Sequence, residues 1–144
     1  MKLSTTFICS LLFTWTGLCV AAPADAARPM IVVNEEDVKR DEPPPHGAIG
    51  MSTAYRISDA APAPRSMEFR KRILHPKAEI GLHRIDHDEV YYVLSGEGIV
   101  HSDGMTQTLK PGMAAYLYKG ATVGIKQTGT QPLSLIVSYP TVAH

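Results

Sequence analysis

Apolar and polar residues alternate with a period of two through the C-terminal half of the chain, and glycine or proline interrupts the alternation every few residues. That period belongs to strands, whose successive side chains point to opposite faces. Residues 67–75 begin the run, with Phe69 and Ile73 on one face and Glu68, Arg70 and Arg72 on the other. The charged face is expected to meet solvent. Further strands are predicted over residues 78–83, 88–94, 99–102, 106–109, 113–118, 122–127 and 133–139. The separators are turn formers, among them Pro76-Lys77, Ser95-Gly96-Glu97-Gly98, Lys110-Pro111-Gly112 and the hairpin signal Asp103-Gly104. Upstream, residues 29–33 and 49–58 read as two more strands. Residues 34–40 read as a helical turn or loop, and 59–66 as a surface loop. Pro43, Pro44 and Pro45 forbid a helix and make 41–47 an extended arm. Short strands at this spacing, without helical periodicity, predict an all-β sandwich or barrel.

The N-terminus departs from this pattern. Lys2 precedes an apolar run over residues 7–20, and Ala24-Asp25-Ala26 fits a small-residue cleavage rule. Residues 1–26 are therefore expected to be a signal peptide, with the mature chain starting at Ala27, secreted or periplasmic. The run is shorter than the ~20 residues a membrane span needs, so no membrane association is expected after removal. The remaining roughly 118 residues suffice for one domain with its own core. Cys9 and Cys19 both fall within the signal, which excludes disulfides, a thiol nucleophile and thiolate metal ligands from the mature domain. A net charge of +0 and the lack of a basic run argue against a nucleic-acid partner.

Gly81-x-His83 with Glu89 and Gly96, in the context Glu89-Val90-Tyr91-Tyr92-Val93-Leu94-Ser95-Gly96-Glu97-Gly98, resembles the first motif of the cupin superfamily. Leu109-Lys110-Pro111-Gly112 followed by Tyr118-Lys119-Gly120 resembles the second. The resemblance covers residues 67–139 and implies a cupin-type jelly-roll β-barrel. The barrel core would then be residues 67–144, preceded by strands and a Pro-rich arm over 27–66. It also implies a homodimer formed through an outer sheet face, where Val90, Tyr92 and Leu94 lie opposite Glu89. In the family, two histidines and a glutamate of the first motif and a histidine of the second hold one metal. His83 and Glu89 match that pattern. Ile85 replaces the second histidine, Val123 the third, and Gln127 stands where an asparagine often follows. Isoleucine and valine cannot bind metal.

His87 lies between the two matching positions. A turn over residues 86–88 could swing it into the barrel mouth, where His83, His87 and Glu89 would form a two-histidine, one-carboxylate set for iron, zinc or copper. The alternative is a solvated turn histidine flanked by Asp86 and Asp88. An oxidising compartment favours copper over zinc or iron. The leading expectation is thus an exported metal-dependent oxidoreductase with one divalent metal, acting on a carbohydrate or phenolic substrate. A metal-free small-molecule binding or sensing module is the second expectation. An isomerase or lyase with Glu89 as base, zinc-dependent or metal-free, is the third. Tyr91, Tyr116, Tyr118 and Gln127 are the candidate cavity residues, and Glu89 the catalytic one. His46 in the arm reads as a surface histidine, His75 as a turn residue, and His101 could face either side.

Overall fold

The alternating segments form ten strands among the described residues of the computed structural model, which are 28–47 and 49–141. All of these elements lie in one compact unit that begins at Ile31. The expected signal segment lies outside the described residues. One antiparallel sheet has six strands: β1 (Lys39–Glu42), β2 (Ser52–Tyr55), β3 (Met67–Leu74), β10 (Leu133–Pro140), β5 (Glu89–Ser95) and β8 (Ala114–Leu117), in that spatial order. The second sheet has four: β4 (Glu79–Arg84), β9 (Thr122–Thr128), β6 (Glu97–Ser102) and β7 (Met105–Leu109). Each sheet contributes one face to a shared apolar core, with Leu74, Tyr91, Val93 and Leu135 from the first and Ile80, Val100, Val123 and Ile125 from the second. This is the expected jelly-roll arrangement, in which the inner faces of both sheets must be buried together.

The N-terminal third differs from its expected form. Residues 29–33 form no strand; Glu35–Val38 is a short 3-10 helix whose start is capped by Asn34, the side-chain oxygen accepting from the Glu36 N–H at 3.2 Å. The strand there is instead the fully charged segment Lys39–Glu42. It carries no apolar alternation, because it is an edge strand paired only to β2. Together β1 and β2 extend the sheet beyond β3.

β3 faces the opposite way from the sequence expectation. Register pairs Glu68 with Tyr139, Arg70 with Val137 and Arg72 with Leu135, so all three charged residues point inward. Glu68 and Arg72 are buried, while Met67 and Phe69 on the other face are exposed. Buried charges must be paired, and here they are. Glu68 takes Arg65 at 2.7 Å and Arg70 at 3.1 Å, and Glu42 takes Arg72 at 3.0 Å and Arg56 at 2.7 Å. Arg72 also donates to the Ser52 hydroxyl at 2.6 Å.

Two motif residues serve the fold. Gly96 has φ +75°, and a Cβ there would lie 2.2 Å from the Pro132 carbonyl oxygen, so the β5–β6 turn admits only glycine. Gln127 is fully buried as a staple between two turns. Its side-chain carbonyl accepts from the Lys77 N–H at 2.7 Å, and its amide donates to the Thr128 and Gln131 carbonyls at 2.7 Å each.

Candidate functional site

Two adjoining chambers open into the barrel, and His46, His83, Glu89 and Tyr139 line both. The inner chamber encloses about 300 Å³ and the outer about 540 Å³, small-molecule dimensions. The inner chamber adds Arg56, Arg70, Arg72 and Tyr91; the outer adds His87 and Ile85.

Glu89 opens β5 opposite Leu117 of β8, and this pairing turns its side chain inward. Only 5 % of it is exposed. The described residues give its carboxylate no hydrogen bond, and the Nε2 of His87 stands 3.9 Å away. Burial therefore pushes its pKa up to about 7, with the Arg70 guanidinium opposing the rise. Tyr91, two residues on, shares that face and is buried, which raises its phenol well above the ordinary range.

His83 stands across the cavity on β4, opposite Val123 of β9. Its Nδ1 lies 2.9 Å from the Gly81 carbonyl. A carbonyl only accepts, so Nδ1 carries the hydrogen, and in the neutral ring Nε2 is a bare acceptor. The ring is covered by His46 from the arm, centroids 3.6 Å apart and planes 9° from parallel. Burial, and then the charges of His83 and Arg72, lower the His46 pKa. His87 follows β4 in the turn before β5. Its Nδ1 is 2.7 Å from Asp86, and its ring stacks on Tyr139 at 4.4 Å.

The three expected metal ligands thus line one cavity but do not converge. Among the described residues no three histidine, aspartate or glutamate side chains could hold one metal ion. The reason is visible in the donors. Ile85 and Val123 are buried core residues at the two other positions and supply no donor atom. The residues do not fit a three-ligand metal centre.

Tyr116 and Tyr118 do not line either chamber. Tyr116 pairs with Val90 on the outer face of the six-stranded sheet, and Tyr118 packs beside it, ring centroids 5.1 Å apart. The Tyr116 hydroxyl donates to Asp88 at 2.7 Å. Gln127 is the turn staple described above and leaves no group for a ligand. Conversely, Arg70, Arg72, Tyr139 and His46 are cavity residues that sequence reasoning missed. The alternation Leu135, Val137, Tyr139 carried a signal for the tyrosine. Nothing local marked the arginines as inward, since a charged strand face ordinarily meets water.

Comparison with known proteins agrees with this architecture. The cupin domain family matches residues 71–139. An oxalate-binding protein of Thermotoga maritima is 30% identical over 84 residues, covering 58% of this chain and 69% of that protein. The chain belongs to the cupin superfamily. Among solved cupin-fold structures, one from Thermotoga maritima described as a predicted oxalate decarboxylase superposes with a TM-score of 0.69 at 23% identity, covering 78% of this chain and 100% of that one. The polyketide cyclase RemF of Streptomyces resistomycificus gives 0.65 at 22% identity, covering 78% and 80%. Cupins commonly hold a metal; this cupin keeps only two residues of the usual set, His83 and Glu89.

Proposed function

We propose that this cupin takes a small organic acid into the barrel and uses Glu89 to move a proton, without a three-ligand metal centre. The observation that carries the proposal is the Glu89 carboxylate: buried, without a hydrogen bond among the described residues, and facing a cavity of about 300 Å³ that Arg56, Arg70 and Arg72 also line. A carboxyl titrating near 7 is matched to proton transfer at neutral pH. The three guanidiniums outnumber Glu42 and Glu89 among the charged residues lining that chamber, which favours an anionic ligand. The Thermotoga relative, an oxalate-binding protein, supports the same ligand class.

In the step this arrangement supports, ionised Glu89 takes a proton from carbon next to the ligand's carbonyl or carboxyl group. The C–H electron pair moves into an enolate, whose oxygen the guanidiniums stabilise. Return of the proton at another carbon completes an isomerisation, and loss of a β-substituent with its electron pair completes an elimination. Copper-dependent oxidation of an extracellular carbohydrate or phenol has no support in this side-chain arrangement, because its ligands do not converge. The exported setting and the homodimer stay part of the proposal, supported by the N-terminal signal pattern and the apolar outer sheet face.

A panel of small dicarboxylic and 2-oxo acids, with neutral sugars as controls, tests the reading by calorimetry before and after chelator treatment. Acid binding that survives chelation is expected. Exchange of carbon-bound hydrogen in D₂O, followed by NMR, should be lost in Glu89→Gln while binding persists. Binding that requires added metal would overturn the proposal. Binding without exchange would leave the metal-free binding module, which the apolar Ile85 and Val123 favour, and would remove Glu89's proton-transfer role.

A further inference from the structure

The arm over residues 42–47 bridges the two sheets at the cavity mouth. At one end Glu42 closes β1, its carboxylate between Arg56 and Arg72 and its carbonyl accepting from the Ser52 hydroxyl at 2.8 Å. At the other end the arm rests on β4 of the second sheet. The Gly81 N–H donates to the Pro45 carbonyl at 3.4 Å, and Ile49 makes an isolated bridge to Glu79. A Cβ at Gly81 would lie 2.0 Å from the His46 carbonyl oxygen. The glycine that opens the first cupin motif is thus, in this chain, the seat of the arm.

Two features show that the arm is built to deliver one ring. His46 has φ +67°, a left-handed conformation that few non-glycine residues adopt without a reason in the surroundings. That backbone sets its imidazole flat on His83, 3.6 Å away. The three prolines before it restrict the approach, so little ordering entropy is needed to hold the pose. His83 is then fixed from two directions, by the Gly81 carbonyl at Nδ1 and by the His46 face over its ring. The described residues give Nε2 no partner.

We propose that His46 is a positioning residue of the cavity: the docked arm holds His83 in the Nδ1–H tautomer and rotamer, with Nε2 presented as an acceptor for an O–H or N–H donor of the ligand. The site is therefore bipartite, made by the barrel and by the arm, and a barrel without its arm holds His83 by the Gly81 carbonyl alone, too weakly to keep one tautomer. This assignment takes the cavity as the site, as in the proposed function, but its test needs no ligand and so fails or succeeds separately.

Long-range ¹H–¹⁵N correlation spectra of the ¹⁵N-labelled full chain read the tautomer directly. At pH 7.5 the wild type should show one His83 tautomer, protonated at Nδ1. His46→Asn, which tolerates the left-handed backbone, removes the ring and should give averaged His83 nitrogen shifts. His46→Phe restores a flat ring and should restore the single tautomer. Gly81→Ala should behave like His46→Asn, because its Cβ displaces the arm. Backbone amide spectra unchanged outside the arm and β4 establish that each variant is folded. A single, unchanged His83 tautomer in both His46→Asn and Gly81→Ala would overturn the proposal, as would failure of His46→Phe to restore it.

Discussion

Replacing Glu89 with glutamine should stabilise the protein, increasingly so as pH rises. The carboxyl titrates at about 7 in the fold against 4.5 in its ordinary state, and the cause is burial. Raising a carboxyl's folded pKa above its unfolded one is a penalty on stability. The penalty is absent below the unfolded value, where both states are protonated. It grows as pH climbs past 4.5 and is complete above about 7, where the folded protein must hold a desolvated charge. The full shift corresponds to about 3 kcal/mol. Glutamine has nearly the same shape and never ionises, so it escapes the penalty and shares the neutral acid's demand for hydrogen bonds.

Linkage turns this into a curve. The variant should gain about 1 kcal/mol over the wild type at pH 5 and about 3 kcal/mol at pH 8, with no gain at pH 4 beyond the constant offset of the substitution. Urea titrations of both proteins at pH 4, 5, 6, 7 and 8 measure it. With an m-value of about 1.5 kcal/mol per molar for a domain of this size, the midpoint gap should widen by roughly 2 M between pH 4 and 8. A gap that does not change with pH would show that Glu89 is solvated or paired. The reasoning from its burial would then be refuted, and its match to proton transfer at neutral pH would go with it.

Reinstating the family's ligands should create the metal site that the core residues displaced: Ile85→His with Val123→His should bind cobalt(II), seen by its visible absorption, at least a hundredfold more tightly than the wild type, about 3 kcal/mol. The pairing of Val123 directly opposite His83 puts the new histidine on the same side of the barrel wall, and equal cobalt affinity in the two proteins would show that the native residues already suffice. Gly96→Ala should cost about 3 kcal/mol, or roughly 10 °C in Tm, because it combines a left-handed φ with a backbone clash at 2.2 Å; a Tm within 2 °C of wild type would contradict this. The outer face of the six-stranded sheet exposes Phe69, Tyr92, Leu94 and Tyr116, and a homodimer would cover them. Light scattering should therefore give the wild type twice the chain mass and Tyr92→Glu the chain mass, whereas a monomeric wild type at micromolar concentration would remove the dimer.

Most strands from β3 onward were legible because they bury one face, and burial writes a period of two into the residue types; β7, exposed at four of its five residues, was marked instead by the turns on either side of it. Their number, spacing and turns pointed to a sandwich or barrel, and the resemblance of the two motifs made it a jelly roll. β1 was not legible: an edge strand of Lys39, Arg40, Asp41 and Glu42 has no buried apolar face to announce it. Within the site, Glu89 and Tyr91 could be placed on an inner face by alternation from Val93. Tyr116 could not, since a strand's two faces look alike until its partner is known, and pairing with Val90 put it outside.

By itself, then, the sequence determined the family, the barrel, and the loss of donor atoms at positions 85 and 123, because these depend on residue identity and local order. Tertiary structure decided which groups meet. Register with β10 turned Arg70 and Arg72 inward, against the ordinary cost of burying charge, because Glu68 and Glu42 stand ready to pair with them. A long-range seat at Gly81 brought His46 onto His83 from 37 positions away in the chain. Contacts between segments so far apart depend on the whole path of the backbone between them, and no local pattern records that path.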